Sequence, residues 1–521
     1  MADRTNTDPA RMEKIVSLCK RRGFIFQSAE IYGGLNGCWD YGPMGVELKR
    51  NLKEYWWRKN VQEREDVVGM DGSILTHNSV LVASGHVGGF SDPMCDCLLT
   101  KERLRADQVP AQSGMGFFYT GAAKKDGSWN IEKKYSVLVE SEKQADKARK
   151  TAAQYYAQLA GKDASYKDME LKGECMETVT DSTMYNPANG SLLTEAREFN
   201  LMFKTTIGAT SDENDPNATG WLRPETAQSI FCQYKNILDS SRVKLPFGIA
   251  QIGKSFRNEI NPRNFTFRSR EFEQMEIEYF CRPEDGLRLV DEWLEHRLCF
   301  YDEVGVPREH IHILDVPDGE RAFYSKKTYD LEYEFPFGIQ ELEGIAYRTD
   351  YDLTQHQNHS GKSMEYMDPF TNARYIPYCI EPSVGAGRMA LAFLCDCYDE
   401  ETLENGDVRN VLHLHPALAP YKAAVLPLQK KLGDKAKELY AMLSKHFMVD
   451  YDETGAIGKR YRRQDEIGTP LCITVDFETV EGDPANDMQK DTVTVRDRDT
   501  MQQIRLPIDQ LVPYIEKKIE F

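Results

Sequence analysis

The sequence predicts an α/β fold whose main part is α+β, an antiparallel β-sheet flanked by helices. A helical insertion interrupts that part, and a separate C-terminal α/β domain follows it. Three observations carry the prediction. Residues 247–259 and 271–280 are rich in β-favouring residues, bounded by prolines, and joined by a loop with turn chemistry, so they read as a long hairpin. Residues 378–388 run from a strand through a small-residue turn into an apolar helix at 389–395. Beyond residue 410, buried-strand patterns at 423–428 and 471–477 alternate with helical segments.

Taken in chain order, residues 11–27 and 45–63 read as helices. The second follows Pro43 and sets Leu48, Leu52, Tyr55 and Trp56 on one face against charge on the other. Residues 66–107 return to strand and loop chemistry. From 108 to 195 the composition shifts, first glycine-rich, then dense in Lys, Glu and Ala through 142–162, which predicts a helical insertion. Signals of the main part resume at 196 and run to about 405. The acidic, polar stretch 399–410 reads as a linker to the domain at 410–521. The expected organisation is therefore 1–107, 108–195, 196–405 and 410–521.

Composition narrows the function classes. The chain has 521 residues, enough for two or three domains with full cores. No run approaches the roughly 20 apolar residues of a membrane helix. The Met1–Asn6 segment resembles neither a secretory leader nor a transit peptide, so the expected location is cytoplasmic, with no membrane partner. Twelve cysteines lie without a disulfide-like framework, in keeping with reduced thiols. The net charge of −18 argues against a generic nucleic-acid binder. It leaves room for an RNA substrate met locally. Lys459-Arg460-Tyr461-Arg462-Arg463 is a basic run, and Arg263, Arg268 and Arg270 interleave with Phe265 and Phe267.

Candidate functional residues emerge from the hairpin. Side chains alternate faces along a strand. Met275, Ile277 and Tyr279 therefore point one way, and Phe272, Gln274, Glu276 and Glu278 the other; Gln251, Ser255, Arg257 and Glu259 share a face on the first strand. Alone, such a face reads as solvated ion pairs. Downstream, Gly385-Ala386-Gly387-Arg388 places an arginine near a helix N-terminus beside glycines that admit close backbone approach, an arrangement suited to phosphate or nucleotide.

Together, Phe256-Arg257-Asn258-Glu259 with Arg268-Ser269-Arg270-Glu271-Phe272-Glu273-Gln274-Met275-Glu276, and the segment Tyr378 to Arg388, resemble motifs 2 and 3 of class II aminoacyl-tRNA synthetases. Further ordered blocks are similar to the dimeric glycyl-tRNA synthetases: residues 34–45 around motif 1, Ser84-Gly85-His86-Val87, Leu104-Arg105-Ala106-Asp107, residues 199–204, Leu222-Arg223-Pro224-Glu225-Thr226-Ala227-Gln228, Glu341-Leu342-Glu343-Gly344-Ile345 and His413-Leu414-His415-Pro416. The resemblance implies a class II synthetase fold in which 410–521 binds the anticodon. It also implies ATP with Mg²⁺, glycine and tRNA(Gly) as ligands, and a homodimer.

Adenylate formation brings two anions together, so an arginine aimed at the α-phosphate is the central requirement, and Arg257 is the candidate. The resemblance implies that Arg388 covers the adenine and reaches the γ-phosphate, that Phe272 stacks on the other side, and that Arg268 grips the γ-phosphate. Its ATP-binding positions map to Arg257, Asn258, Glu259, Phe267, Arg268, Ser269, Arg270, Glu271, Phe272, Glu341, Leu342, Gly385, Ala386, Gly387 and Arg388. Glu341 is the Mg²⁺ candidate, with Glu259 second. The glycine-binding positions map to Arg105, Glu225, Phe272, Glu273, Gln274, Met275, Glu276, Glu381, Pro382, Ser383, Val384 and Gly385. Glu225 and Glu276 supply charge for the ammonium, Ser383 a polar wall, and Arg105 meets the carboxylate or the tRNA end. Residues 346–350, Ala-Tyr-Arg-Thr-Asp, depart slightly from the family pattern.

Cys95-Asp96-Cys97 and Cys395-Asp396-Cys397 lack the spacing of zinc knuckles, and Asn186-Pro187-Ala188-Asn189-Gly190 carries no cysteine, so no structural zinc is expected. His310-x-His312 and His413-x-His415 read as structural. Rival readings are a catalytically inactive synthetase-like accessory or regulatory protein, a synthetase for threonine, serine, proline or histidine, and a generic RNA-binding module. The first usually loses the motif arginines, kept here at 257, 268 and 388; the acids at 225 and 276 with Ser383 favour glycine over the second; the third leaves those acids unexplained.

Overall fold

A computed structural model describes residues 7–161, 164–208, 218–322, 324–482 and 490–520; the Met1–Asn6 segment lies outside them. The chain forms two compact units. One comprises Met1–Ser84, Phe203–Arg257 and Pro262–Phe521, the other Gly85–Met202 with Asn258–Asn261.

The first unit is organised by a seven-stranded sheet. In chain order its strands are β1 (Val67–Gly69), β2 (Phe247–Phe256), β3 (Glu271–Cys281), β4 (Ile311–Asp315), β5 (Lys327–Phe335), β6 (Gly338–Thr349) and β7 (Tyr378–Gly385). Across the sheet the order is β4-β5-β6-β7-β3-β2-β1, antiparallel throughout except for the β2–β1 edge. One face is apolar. Met275, Ile277, Leu331, Ile345 and Val384 pack there against helices α1 (Pro9–Arg22) and α2 (Pro43–Trp57). On the opposite face, helix α3 (Ala227–Ser241) packs Ile230, Phe231 and Tyr234 onto Phe247, Ile249 and Phe280. Helices α4 (Gly286–Glu303), α5 (Tyr351–Ser360) and α6 (Ala386–Cys397) complete the layers, α4 and α6 with α1 and α2, and α5 with α3. Each large apolar side chain buried this way contributes about 1.5–3 kcal/mol.

Helix ends follow local chemistry. Asp8 caps α1 through the Arg11 amide at 3.0 Å, and Gly23, at φ 73°, ends it. The helix expected over 11–27 therefore stops at Arg22, and Ile25–Gln27 pairs with Trp39–Tyr41 as a strand. Pro43 starts α2, which ends at Trp57 in a wider turn over Arg58–Gln62.

The second unit corrects the expectation of a helical insertion. Its lysine- and alanine-rich stretch forms the helix Ala145–Ala160, which packs its alanines and tyrosines against strands. Those strands form the three-stranded sheets Tyr135–Val139/Gln112–Tyr119/Cys175–Ser182 and Met169–Lys172/Gly121–Lys124/Asn130–Ile131. The glycines of 112–121 sit where strands approach closely: a Cβ on Gly114 would strike the Val139 carbonyl. This unit also begins at Gly85 rather than near 108.

The C-terminal part of the first unit carries its own five-stranded sheet, in the order Val449–Tyr451, Ala423–Pro427, Leu471–Val475, Thr492–Asp497, Gln503–Pro507. Its core is separate, built from Leu439, Leu471, Val493 and Leu511 among others. The stretch read as a linker is a hairpin, Tyr398–Thr402 against Val408–Leu412. Buried Arg409 ties it down through Asp465 at 2.9 Å and Glu401 at 2.6 Å.

Candidate active site

The charged face of the hairpin forms as its alternation requires. Gln274, Glu276 and Glu278 are buried on the face opposite Met275, Ile277 and Tyr279. From β2, Gln251 and Ser255 point into the same layer, and the Ser255 hydroxyl donates to Gln274 Oε1 at 2.7 Å. β2 ends at Phe256, so Arg257 lies just past it; its Nε donates to the Pro224 carbonyl at 3.1 Å, and its guanidinium lies 5.4 Å from the Phe272 ring centre.

The second arginine stands at the start of α6. Arg388 Nη1 donates to the Glu341 carbonyl at 3.0 Å and to Glu341 Oε1 at 3.2 Å. Its guanidinium lies 4.4 Å from the centre of the Phe267 ring, which is held edge-on by Phe335 and Phe337. Gly387 must be small, because a Cβ there would lie 2.7 Å from the Tyr41 hydroxyl. Glu341 reaches this face through a β-bulge. Glu332 pairs with Glu341 but Leu331 with Glu343, so Glu341 and Glu343 point to opposite sides of the sheet. Glu343 instead meets buried Arg297 at 2.6 Å. Burial and the nearby Glu341 and Glu332 raise the Asp330 carboxyl to about 7, against a lowering by Arg388.

Farther along the same sheet face lies a cluster of buried acids. Arg348, fully buried on β6, binds Asp352 in a two-pronged pair at 2.8 and 3.0 Å and Glu381 at 2.7 Å, with Glu225 at 4.0 Å. Burial opposes the Arg348 charge, but Asp352 and Glu381 hold the guanidinium firmly protonated. Thr226 donates to Glu276, and Gln228 bridges Glu225 at 3.0 Å and Asp352 at 2.9 Å. Gln274 reaches Ser383 Oγ at 3.4 Å. Burial, then the neighbouring Glu276 and Glu225, push the Glu381 carboxyl well up, while Arg348 pulls it down. A dry pocket with more acids than cations is built to receive a positive charge.

The whole-chain comparisons agree with this geometry. Residues 204–469 match the tRNA synthetase class II core domain (G, H, P, S and T), and residues 422–518 match the Anticodon binding domain. The chain is 52% identical over 510 residues to a glycine–tRNA ligase of Clostridium tetani, covering 98% of this chain and 99% of that protein. It is 52% identical over 511 residues to one from Clostridium kluyveri and 51% over 512 residues to one from Geobacillus thermodenitrificans, with 98% of this chain covered each time. This chain belongs to the glycine–tRNA ligase family.

Within that family frame, the residues expected at the site divide by where their side chains go. Arg257, Phe272, Gln274, Glu276, Glu341, Glu381, Ser383 and Arg388 share one layer with Glu225. Several residues named for ligand contact face elsewhere. Glu273 points to α2, paired with Lys49 at 2.5 Å and Lys53 at 2.7 Å. Met275, Val384 and Leu342 lie in the apolar core, and Pro382 shares the face of Ile380 and Val384. The physical reason is strand alternation, so a contiguous run such as 272–276 offers side chains only at alternate positions. Glu271 pairs with Lys254 at the surface, and Phe267 is buried behind Arg388. Ser269 and Arg270 fasten the hairpin loop, the latter through the Asn36 carbonyl at 2.8 Å. Arg268 is half-buried in that loop, and Gly385 and Ala386 form the turn into α6.

Arg105, Asn258 and Glu259 belong to the second unit, where Arg105 pairs with Asp92 at 3.1 Å and Asp107 at 2.6 Å. The basic run in the C-terminal part is less uniform than its sequence suggests. Arg460 is buried against the Pro427 carbonyl at 2.7 Å and Arg463 is held by Asp452, leaving Lys459 exposed. Cys97 Sγ accepts from the Thr100 amide at 3.5 Å, and His310 and His413 pair with Asp396 and Asp499. Sequence reasoning missed Arg348, Asp352, Thr226 and Gln228. The available signal was the Arg348–Asp352 spacing of four, where a strand passes into a helix.

Proposed function

We propose that this chain attaches glycine to the 3′ end of tRNA(Gly) in two steps at this site. In the first, a glycine carboxylate oxygen attacks the α-phosphorus of ATP and pyrophosphate leaves. In the second, the tRNA 3′-hydroxyl attacks the adenylate carbonyl and AMP leaves. The observation that carries the reading is the cluster of buried acids around Arg348, on the sheet face that also carries Phe272 beside Arg257 and Glu341 beside Arg388. Glu225 and Glu276, with Glu381, take the ammonium, while Ser383 and Gln274 leave no room for a side chain; excluding one methyl is worth about 1–3 kcal/mol. Arg257 meets the carboxylate and the α-phosphate, where charge grows in the transition state. Arg388 covers the adenine from one side, its guanidinium backed by Phe267, with Phe272 on the other. Arg268 takes the γ-phosphate.

The donors beside Arg388 are hard carboxylate oxygens, Glu341 with Asp330 next to it, which suits Mg²⁺. Glu341 would hold that ion, which when bound neutralises phosphate charge. We further read the chain as a cytoplasmic homodimer. Free thiols at all twelve cysteines and no described helix apolar enough to cross a membrane fit that location. Ile31 and Tyr32, 88% and 87% exposed, lie just before the motif 1 region and α2, an apolar tip that a second copy would cover.

ATP–pyrophosphate exchange with purified protein tests the assignment. Exchange should depend on glycine, with alanine, serine, threonine, proline and histidine inactive. No exchange with any amino acid would favour the inactive accessory reading instead.

A further inference from the structure

The sheet face that forms the acid pocket changes character along β3. Gln274 and Glu276 lie among polar groups, whereas Phe280, two positions beyond Glu278, belongs to the apolar cluster under α3 with Ile249 and Cys379. Glu278 stands at the boundary and is wholly buried. The register that pairs Glu276 with Ser383 and Tyr279 with Ile380 sets Glu278 directly opposite Glu381. Like charges facing each other across strands repel, and carboxyl oxygens of Glu276, Glu278 and Glu381 all lie within 4.8 Å of one another. Every element around Glu278 adds to the conflict or leaves it unresolved. Glu276 comes from its own strand, Glu381 and Cys379 from β7, and Phe231 and Tyr234 from α3. Arg348 on β6 supplies the cation, but its hydrogen bonds go to Asp352 and Glu381. Glu278 accepts from the Cys379 thiol at 2.9 Å through Oε2, and its Oε1 has no hydrogen-bond partner.

We propose that Glu278 is a positioning residue of the amino-acid pocket: a neutral carboxylic acid that holds its proton between strands β3 and β7 and so keeps Glu276 and Glu381 aimed at the substrate ammonium. Three ionised carboxyls so close in a dry site cannot coexist with one engaged arginine. The group farthest into the apolar layer keeps the proton. Burial and Glu381 both raise the Glu278 carboxyl, in line with the geometry. The neutral acid limits the negative charge of the pocket to what one ammonium can balance, and this step rests on the glycine reading above.

Two variants of the full chain separate charge from shape. Glu278→Gln keeps a neutral polar group of the same size between the strands and should hold the glycine KM within about threefold in pyrophosphate exchange. Glu278→Ala removes that group and should raise that KM roughly 10- to 100-fold, with the ATP KM unchanged. Infrared difference spectra, wild type minus Glu278→Gln at neutral pH without glycine, should show the C=O band of a protonated carboxylic acid. The proposal is overturned if that band is absent, or if Glu278→Gln loses glycine as badly as the alanine variant. It is also overturned if equilibrium dialysis shows Mg²⁺ or Zn²⁺ bound by wild type but not by Glu278→Gln, making the triad a cation site. A band present with an unaltered glycine KM in Glu278→Ala would reject the positioning role and count against the glycine assignment, while the proton would stand.

Discussion

Replacing Arg348 with methionine removes the only side-chain cation hydrogen-bonded to Glu381 and Asp352 among the described residues. Methionine is shorter but fills much of the same volume, so the loss is chiefly electrostatic. Two carboxyls, Asp352 and Glu381, are left buried without the arginine they pair with. Breaking a buried pair by removing one partner costs about 3–5 kcal/mol, which corresponds to a fall in Tm on the order of 10 °C. The sign of the pH dependence follows from linkage. Burial already raises the Glu381 carboxyl, and without the arginine that lowers it the folded-state pKa moves further above that of the unfolded chain, so the folded variant binds more protons. Stability is then fully present below the unfolded pKa and lost as pH rises, by up to about 1.4 kcal/mol per pH unit per retained proton. Differential scanning at about pH 5 and about pH 8 should therefore show a Tm deficit that widens with pH. Arg348→Lys keeps the charge without the two-pronged geometry and should fall between. Adding Asp352→Asn to the methionine variant should recover part of the loss, since the two residues are coupled. A methionine variant within about 1 kcal/mol of wild type, or a deficit independent of pH, would refute the account of Arg348 as the charge that holds the pocket together.

Arg257→Ala and Arg388→Ala should each slow glycine-dependent pyrophosphate exchange by roughly 10²–10³ with circular dichroism unchanged; near-wild-type exchange in either would place ATP elsewhere. Truncation after Pro420 keeps Leu412, Leu414 and Leu418 in the main core, at the loss of Ile467, and removes the segment with its own core. It should spare exchange and abolish charging of tRNA, and retained charging would separate the C-terminal domain from RNA binding. Sedimentation at assay concentration should show a dimer, and Tyr32→Glu should shift it toward monomer; an active monomeric wild type would remove motif 1 from that role. Glu278→Gln should also lose less stability than wild type as pH rises from about 5 to 8, because wild type carries the proton that the unfolded chain releases.

Much of this protein was determined by patterns local in sequence. Alternation along 271–280 separated Met275 and Ile277 from Gln274 and Glu276 before any tertiary contact was known, and the structure keeps that division. Pro43 and the apolar stripe through Leu48, Leu52 and Trp56 marked α2 in the same way. What local pattern could not decide was where chain segments far apart meet. The strands of 108–195 are spaced by glycines whose purpose appears only when a neighbouring strand lies against them. The bulge that sends Glu341 and Glu343 to opposite faces is a property of the β5–β6 pairing, not of either segment alone. Motif matching named the whole run 272–276 and could not tell Glu273, bound to lysines of α2, from Glu276 in the pocket. Arg348 makes the same point most sharply: it is one arginine among many in the sequence, and becomes the pivot of the site because folding brings Glu225, Asp352 and Glu381 around it from a loop, a helix and a strand. Hydrophobic periodicity is written residue by residue, but the energy of a buried charge depends on which other charges share its dry volume, and only the tertiary structure sets that.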